Sequence, residues 1–157
     1  MPPTLIAAYS HQVTEPWAVT VKVTVYLHND TSITAKLPVA AQGEGVAILA
    51  VSNAVQYNYL LLQDNVPDVD AEVYTVGCQK DRNRLIREGK IMQRVNNDGQ
   101  QTELTDLIPL NLPIKVGFSG SPLLTTSGDV VGIIYGFDEH SENLSYAIPT
   151  GRLFQIM

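Results

Sequence analysis

The chain has a single cysteine, Cys78, in 157 residues. No internal disulfide can form, which fits a reducing compartment or a fold that needs no covalent staples. Positive charge is scarce as well. Ten Lys and Arg stand against sixteen Asp and Glu, a net charge of −6. That balance argues against a nucleic-acid or anionic-membrane partner. Basic residues gather only at Lys80-Asp81-Arg82-Asn83-Arg84 with Arg87. This cluster reads as a solvated loop, with a partner or substrate contact as the alternative. No apolar run approaches membrane-spanning length. Leu5-Ile6-Ala7-Ala8 is too short for a signal peptide and lacks a basic start, so a cytoplasmic location is expected. Three histidines lie far apart and the one cysteine has no near partner, so no metal and no cofactor is expected. A phosphate-cradling glycine loop is missing too.

Helical periodicity is also nearly absent, and a period of two dominates. Val19, Val21, Val23, Val25 and Leu27 share one face of an extended run; Thr20, Lys22, Thr24, Tyr26 and His28 share the other. His28-Asn29-Asp30-Thr31-Ser32 reads as a turn, and Ile33, Ala35, Leu37 and Val39 alternate on the return. The apolar run from Val46 to Val51 suits a strand buried on both faces. Further strands are predicted at Tyr59–Leu62, Glu72–Cys78, Gly89–Val95, Thr102–Leu110, Val130–Tyr135 and Leu144–Ile148. A turn at Asn96-Asn97-Asp98-Gly99 separates two of them. Thr150 could cap a short helix from Gly151. Many short strands with regular turns predict an all-β barrel or sandwich. The polar connector from Gln63 to Asp70 suggests two lobes, residues 1–64 and 65–157.

Gly117-Phe118-Ser119-Gly120-Ser121-Pro122 carries the chemistry. A serine between glycines in a tight loop can hold its hydroxyl exposed and its backbone N–H groups outward. Acyl transfer needs both, a nucleophile and donors for the oxyanion formed on attack. The loop precedes Leu123-Leu124, a turn at Thr126-Ser127-Gly128-Asp129 and the run Val130-Val131-Gly132-Ile133-Ile134.

With this loop, with Gly128-Asp129-Val130-Val131-Gly132-Ile133 and with Tyr146-Ala147-Ile148-Pro149, the chain resembles the trypsin-like (chymotrypsin-fold) serine proteases. Within them it is most similar to the disulfide-free HtrA/Deg branch and to some viral proteases. The Gly-x-Ser-x-Gly elbow of α/β-hydrolases does not fit, because position 121 is Ser and the context is strand-rich. The resemblance implies two antiparallel β-barrels and hydrolysis of peptide bonds in a peptide or protein substrate. It implies Ser119 as nucleophile, His11 as general base after the apolar run Leu5–Ala8, and an oxyanion hole at the N–H groups of Gly117 and Ser119. His28 and His140 are the competing histidines. Pro113 falls at the family's pocket floor, where the absence of a carboxylate speaks against Lys or Arg and for an apolar or small side chain. Leu144, Ser145 and Tyr146 would form the strand that pairs with the substrate backbone.

Three departures follow from the comparison with that family. Its acid position falls on Gly45, so Glu44 is the candidate acid, by way of a bulge, with Asp30 and Asp64 as further candidates. Only ten residues precede His11, whereas barrels of this kind run to roughly 200–250 residues. The first barrel is therefore expected to be incomplete at its N-terminal side. Its open edge would invite a second copy or a partner chain. Phe118 replaces a small or polar residue before the serine, to pack over the loop or line the leaving-group side. Two alternatives to an active protease stay open: a pseudoprotease that binds peptides or proteins without cutting them, and an unrelated β-sandwich binding module.

Overall fold

In the computed structural model the chain forms two units, Met1–Tyr59 and Leu60–Met157. Residues 4–8, 21–27, 31–37, 45–51, 59–78, 84–93 and 106–156 are described. The boundary falls ahead of the connector expected near residue 65. Leu60–Asp64 keeps company with the second unit because Gln63 N donates to Val130 O and Val130 N donates to Leu61 O, each at 2.8 Å.

The first unit holds a four-stranded antiparallel sheet in the order β1-β4-β3-β2. Its strands are β1 (Thr4–Ala8), β2 (Val21–Tyr26), β3 (Ser32–Leu37) and β4 (Val46–Ala50). The period-two pattern explains the pairing. Val23, Val25, Ile33 and Ala35 share the inner face with Leu49 and Val51. Thr24, Tyr26, Ser32 and Thr34 take the exposed face. Gly45, with φ 67°, begins the chain's run into β4.

The second unit is a closed barrel, β10-β7-β6-β5-β8-β9. Its strands are β5 (Glu72–Cys78), β6 (Arg84–Ile91), β7 (Ile108–Asn111), β8 (Pro122–Thr125), β9 (Val130–Phe137) and β10 (Leu144–Pro149); α1 (Thr150–Ile156) follows. The architecture is all-β, and the second unit is a barrel, one of the two forms that the strand pattern predicts. The interior is filled by Val73, Ile91, Ile108, Leu110, Leu112, Leu123, Val131 and Ile134 among others. Residues 130–134 of β9 are all buried, as their unbroken apolar run requires. Thr150 sits at the helix start. Its Oγ1 donates to Gln63 O and, at 3.2 Å, to Val131 O, which ties α1 to the barrel. Among the described residues no helix is long and apolar enough to cross a membrane.

Two expectations change. Tyr59–Leu62 forms no strand; Leu62 makes only an isolated parallel bridge to Val130. Tyr59, Leu60 and Leu61 stay exposed, so apolar character alone did not buy them a place in the ladder. The basic cluster is not all loop either. Arg84 and Arg87 lie in β6, paired with Cys78 and Thr75 of β5, so the strand covers Arg84–Ile91 rather than Gly89–Val95. Its inner face reads Leu85, Arg87, Gly89, Ile91, a sequence whose mixed polarity hides the alternation. The turn at 96–99 lies outside the described residues.

Gly89 marks the tightest crossing on that face. A Cβ placed there would stand 2.2 Å from Asn111 O and 2.9 Å from Leu112 Cα, both backbone atoms that cannot move aside cheaply. Gly89→Ala is expected to lower barrel stability by about 1–3 kcal/mol, read as a shifted urea midpoint at constant slope. An unchanged midpoint would show that β7 yields at no cost.

Candidate active site

Ser119 lies in the loop between β7 and β8, and the loop's geometry follows from its glycines. Gly117 has φ 107° and Gly120 φ 90°, conformations that side-chain-bearing residues rarely adopt. Between them the chain alternates outward and inward. Gly117 and Ser119 are exposed, whereas Phe118 is fully buried.

The loop's backbone donors divide in the same way. Phe118 N donates to Lys115 O at 3.2 Å, Gly120 N to Ile134 O at 2.8 Å and Ser121 N to Phe118 O at 3.0 Å. The N–H groups of Gly117 and Ser119 have no acceptor among the described residues. Two free amides flanking one hydroxyl are what a developing oxyanion requires. Ser119 Oγ donates to Tyr135 O at 3.1 Å.

Tyr135 is itself displaced. The register of β9 against β10 passes from Tyr146↔Gly136 to Ala147↔Ile134, so Tyr135 is the extra residue of a bulge. β8 begins only at Pro122, opposite Ile133, and so does not extend beside Tyr135–Phe137. Asp138 N donates to Leu144 O across the β9–β10 pair. By strand alternation, Gly136 shares that direction while Tyr135 and Phe137 turn their backbone groups away from β10, to the side that β8 does not reach. A Cβ on Gly136 would meet nothing within 4 Å. Among the described residues no strand pairs with that side of Tyr135–Phe137, where Tyr135 O accepts from Ser119 Oγ.

This edge replaces the one expected at Leu144–Tyr146. β10 is flanked on both sides, with Leu144, Ser145 and Tyr146 opposite Asn111, Leu110 and Pro109 of β7, and Ser145 and Tyr146 opposite Phe137 and Gly136 of β9. Its backbone groups are committed to those neighbours, and Ser145 Oγ donates to Leu112 O at 3.0 Å. No substrate strand can be added there. The sequence signal for this unpaired edge is the change from all-buried residues 130–134 to half- and fully exposed ones at 135–137.

Pro113 is exposed on the outer wall. It lines a cleft of about 330 Å³ with Glu72, Tyr74, Glu88, Lys90 and Asn143, and none of Gly117–Ser121 lines this cleft. Asp64 packs at the start of α1, its Oδ1 2.8 Å from where a Gly151 Cβ would stand. His140 lies in the exposed β9–β10 turn, its backbone N–H donating to Asp138 Oδ1 at 2.8 Å. His11, His28, Asp30 and Glu44 lie outside the described residues. Phe118 neither covers the loop nor lines its leaving-group side; it points into the barrel, over Gly77.

The sequence from residue 4 to residue 133 matches the trypsin-like peptidase domain. The chain belongs to that family. No curated protein matches it, but solved structures do. The Rv3671c protease of M. tuberculosis, in its inactive form, is 20% identical, with 97% of this chain and 76% of that chain covered at a TM-score of 0.76. The MamO protease domain of Magnetospirillum magneticum, in its apo form, is 18% identical, with 98% and 82% covered and a TM-score of 0.73. The serine endoprotease of Yersinia pestis is 18% identical, with 98% and 52% covered and a TM-score of 0.78. At these identities the likeness establishes the fold, and family membership gives this trypsin-like peptidase domain a protease-type function.

Proposed function

We propose that this domain is a serine endopeptidase. Ser119 Oγ attacks the carbonyl carbon of the scissile peptide and His11 takes its proton. The oxygen of the tetrahedral adduct gathers its negative charge at the N–H groups of Gly117 and Ser119. Collapse of the adduct breaks the C–N bond, and the amine leaves with the proton from His11. The acyl-serine ester is then hydrolysed by water with His11 again as base. Glu44 is the acid that would orient His11. The substrate backbone lies along Tyr135–Phe137 as an added strand.

The observation that carries this reading is the pair of unbonded amides at Gly117 and Ser119 beside an exposed hydroxyl. A second reading, a pseudoprotease that holds peptides on the same edge, is favoured by Gly45 at the position where the family carries its acid.

The test is covalent reaction with a fluorophosphonate, followed by intact mass and peptide mapping. A single adduct on Ser119 supports the endopeptidase. A folded protein that takes up no adduct, yet binds peptides along Tyr135–Phe137, belongs to the second reading.

A further inference from the structure

We propose that Phe118 is the positioning residue of the nucleophile loop, acting as an apolar plug that Gly77 receives. The proposal rests on the reading of Ser119 as nucleophile and adds to it the means by which the loop is held. Phe118 is fully buried, in one cluster with Val73, Ile114, Leu123 and Ile134, with Leu85 packed against it. Its ring lies directly on the β5 backbone. A Cβ built on Gly77 would come within 2.2 Å of Phe118 Cδ1, 2.4 Å of Cε1 and 2.6 Å of Cγ. Only glycine leaves room for the ring at 77.

The neighbours of Phe118 give this contact its consequence. Gly117 and Gly120 are the conformationally free joints of the loop. Phe118 is the one residue between them that is both buried and bonded at each of its backbone groups, N–H to Lys115 O and O from Ser121 N. Fixing its ring therefore fixes the direction of the two peptide groups beside it. The second of these peptides carries the Ser119 N–H, so the ring sets that donor directly and keeps Ser119 Oγ within reach of Tyr135 O, while the Gly117 N–H, one peptide further back, is held only through the Gly117 joint. Preorganised donors need rigid support behind them. Here that support is packing, with no ion pair needed.

The test compares labelling per folded protein with thermal stability across four variants. Phe118→Ala is expected to slow fluorophosphonate labelling by about a hundredfold, the scale of a lost oxyanion donor. Gly77→Ala changes no loop residue but displaces the ring, and should slow labelling about tenfold. Phe118→Leu keeps an apolar plug and should recover most of the rate. Leu110→Ala, also fully buried in the cluster, should lower the melting temperature while labelling at the wild-type rate.

Amide resonances of Gly117 and Ser119 provide a readout independent of chemistry. They should shift or broaden in Gly77→Ala and stay in place in Leu110→Ala. Equal loss of labelling in Leu110→Ala and Gly77→Ala would reduce Phe118 to ordinary core and overturn the proposal. Unmoved Gly117 and Ser119 amides in Gly77→Ala would do the same. If the wild type takes no label, the nucleophile reading fails, and the resonances alone decide whether the plug sets the loop. If Phe118→Ala does not fold, Gly77→Ala and Phe118→Leu carry the comparison.

Discussion

Ser119→Ala is expected to abolish fluorophosphonate labelling completely and to leave the barrel nearly as stable as before. The two halves of this result have separate causes. The side chain is exposed and makes one hydrogen bond, to Tyr135 O; such a bond contributes about 0.5–1.5 kcal/mol. For a chain of this length that is a shift of roughly 2–6 °C in melting temperature. The loop's shape should survive, because it is set by Gly117, Gly120 and the buried ring of Phe118 rather than by the hydroxyl. Labelling has no such reserve. Ser121, the nearest alternative hydroxyl, is half-buried, and its backbone groups are bonded to Phe118 O and Ile134 N. The N–H groups of Gly117 and Ser119, without an acceptor among the described residues, flank the Ser119 hydroxyl rather than that of Ser121. Persistent labelling of the variant, mapped to any other residue, would contradict the assignment of the nucleophile.

Much of this site could be read from the residues in order. Glycines on either side of a serine announce a tight, exposed loop. The unbroken run Val130–Ile134 announces a strand buried on both faces. Both are local signals. That Leu144–Tyr146 is paired on both sides was hidden for a non-local reason. Whether β9 or β10 has free backbone groups depends on where β8 begins and where β7 lies, and neither is written in Leu144–Tyr146 or in Tyr135–Phe137. The role of Phe118 was hidden in the same way. A large apolar residue in a turn has no evident place to go until Gly77, on a distant strand, provides one. β6 escaped because an inward Arg87 and an inward Gly89 break the apolar alternation that announces a strand. Local pattern thus marks elements and turns, while edges, plugs and close approaches are set by tertiary pairing.

His11→Ala carries the other large expected effect: labelling of Ser119 should fall by about 10³-fold or more. A serine hydroxyl is a weak nucleophile at neutral pH, and Ser119 Oγ as it stands donates its proton to a carbonyl, Tyr135 O. That acceptor cannot take the proton away. A base must replace it, and the sequence places His11 after an apolar strand, observed as β1 over Thr4–Ala8, as in the family. The corresponding variants of His28 and His140 should label at the wild-type rate, since His140 already sits in an exposed turn with Asp138. Glu44→Gln then separates a triad from a dyad. An acid that holds the imidazole is worth about 10⁴ in rate in well-studied triads, so loss on that scale assigns the role to Glu44. Labelling that survives Glu44→Gln but not His11→Ala would leave a Ser-His dyad, with Gly45 marking where the acid has been lost. Labelling that survives His11→Ala would remove the base altogether, and with it the case for peptide hydrolysis by this loop.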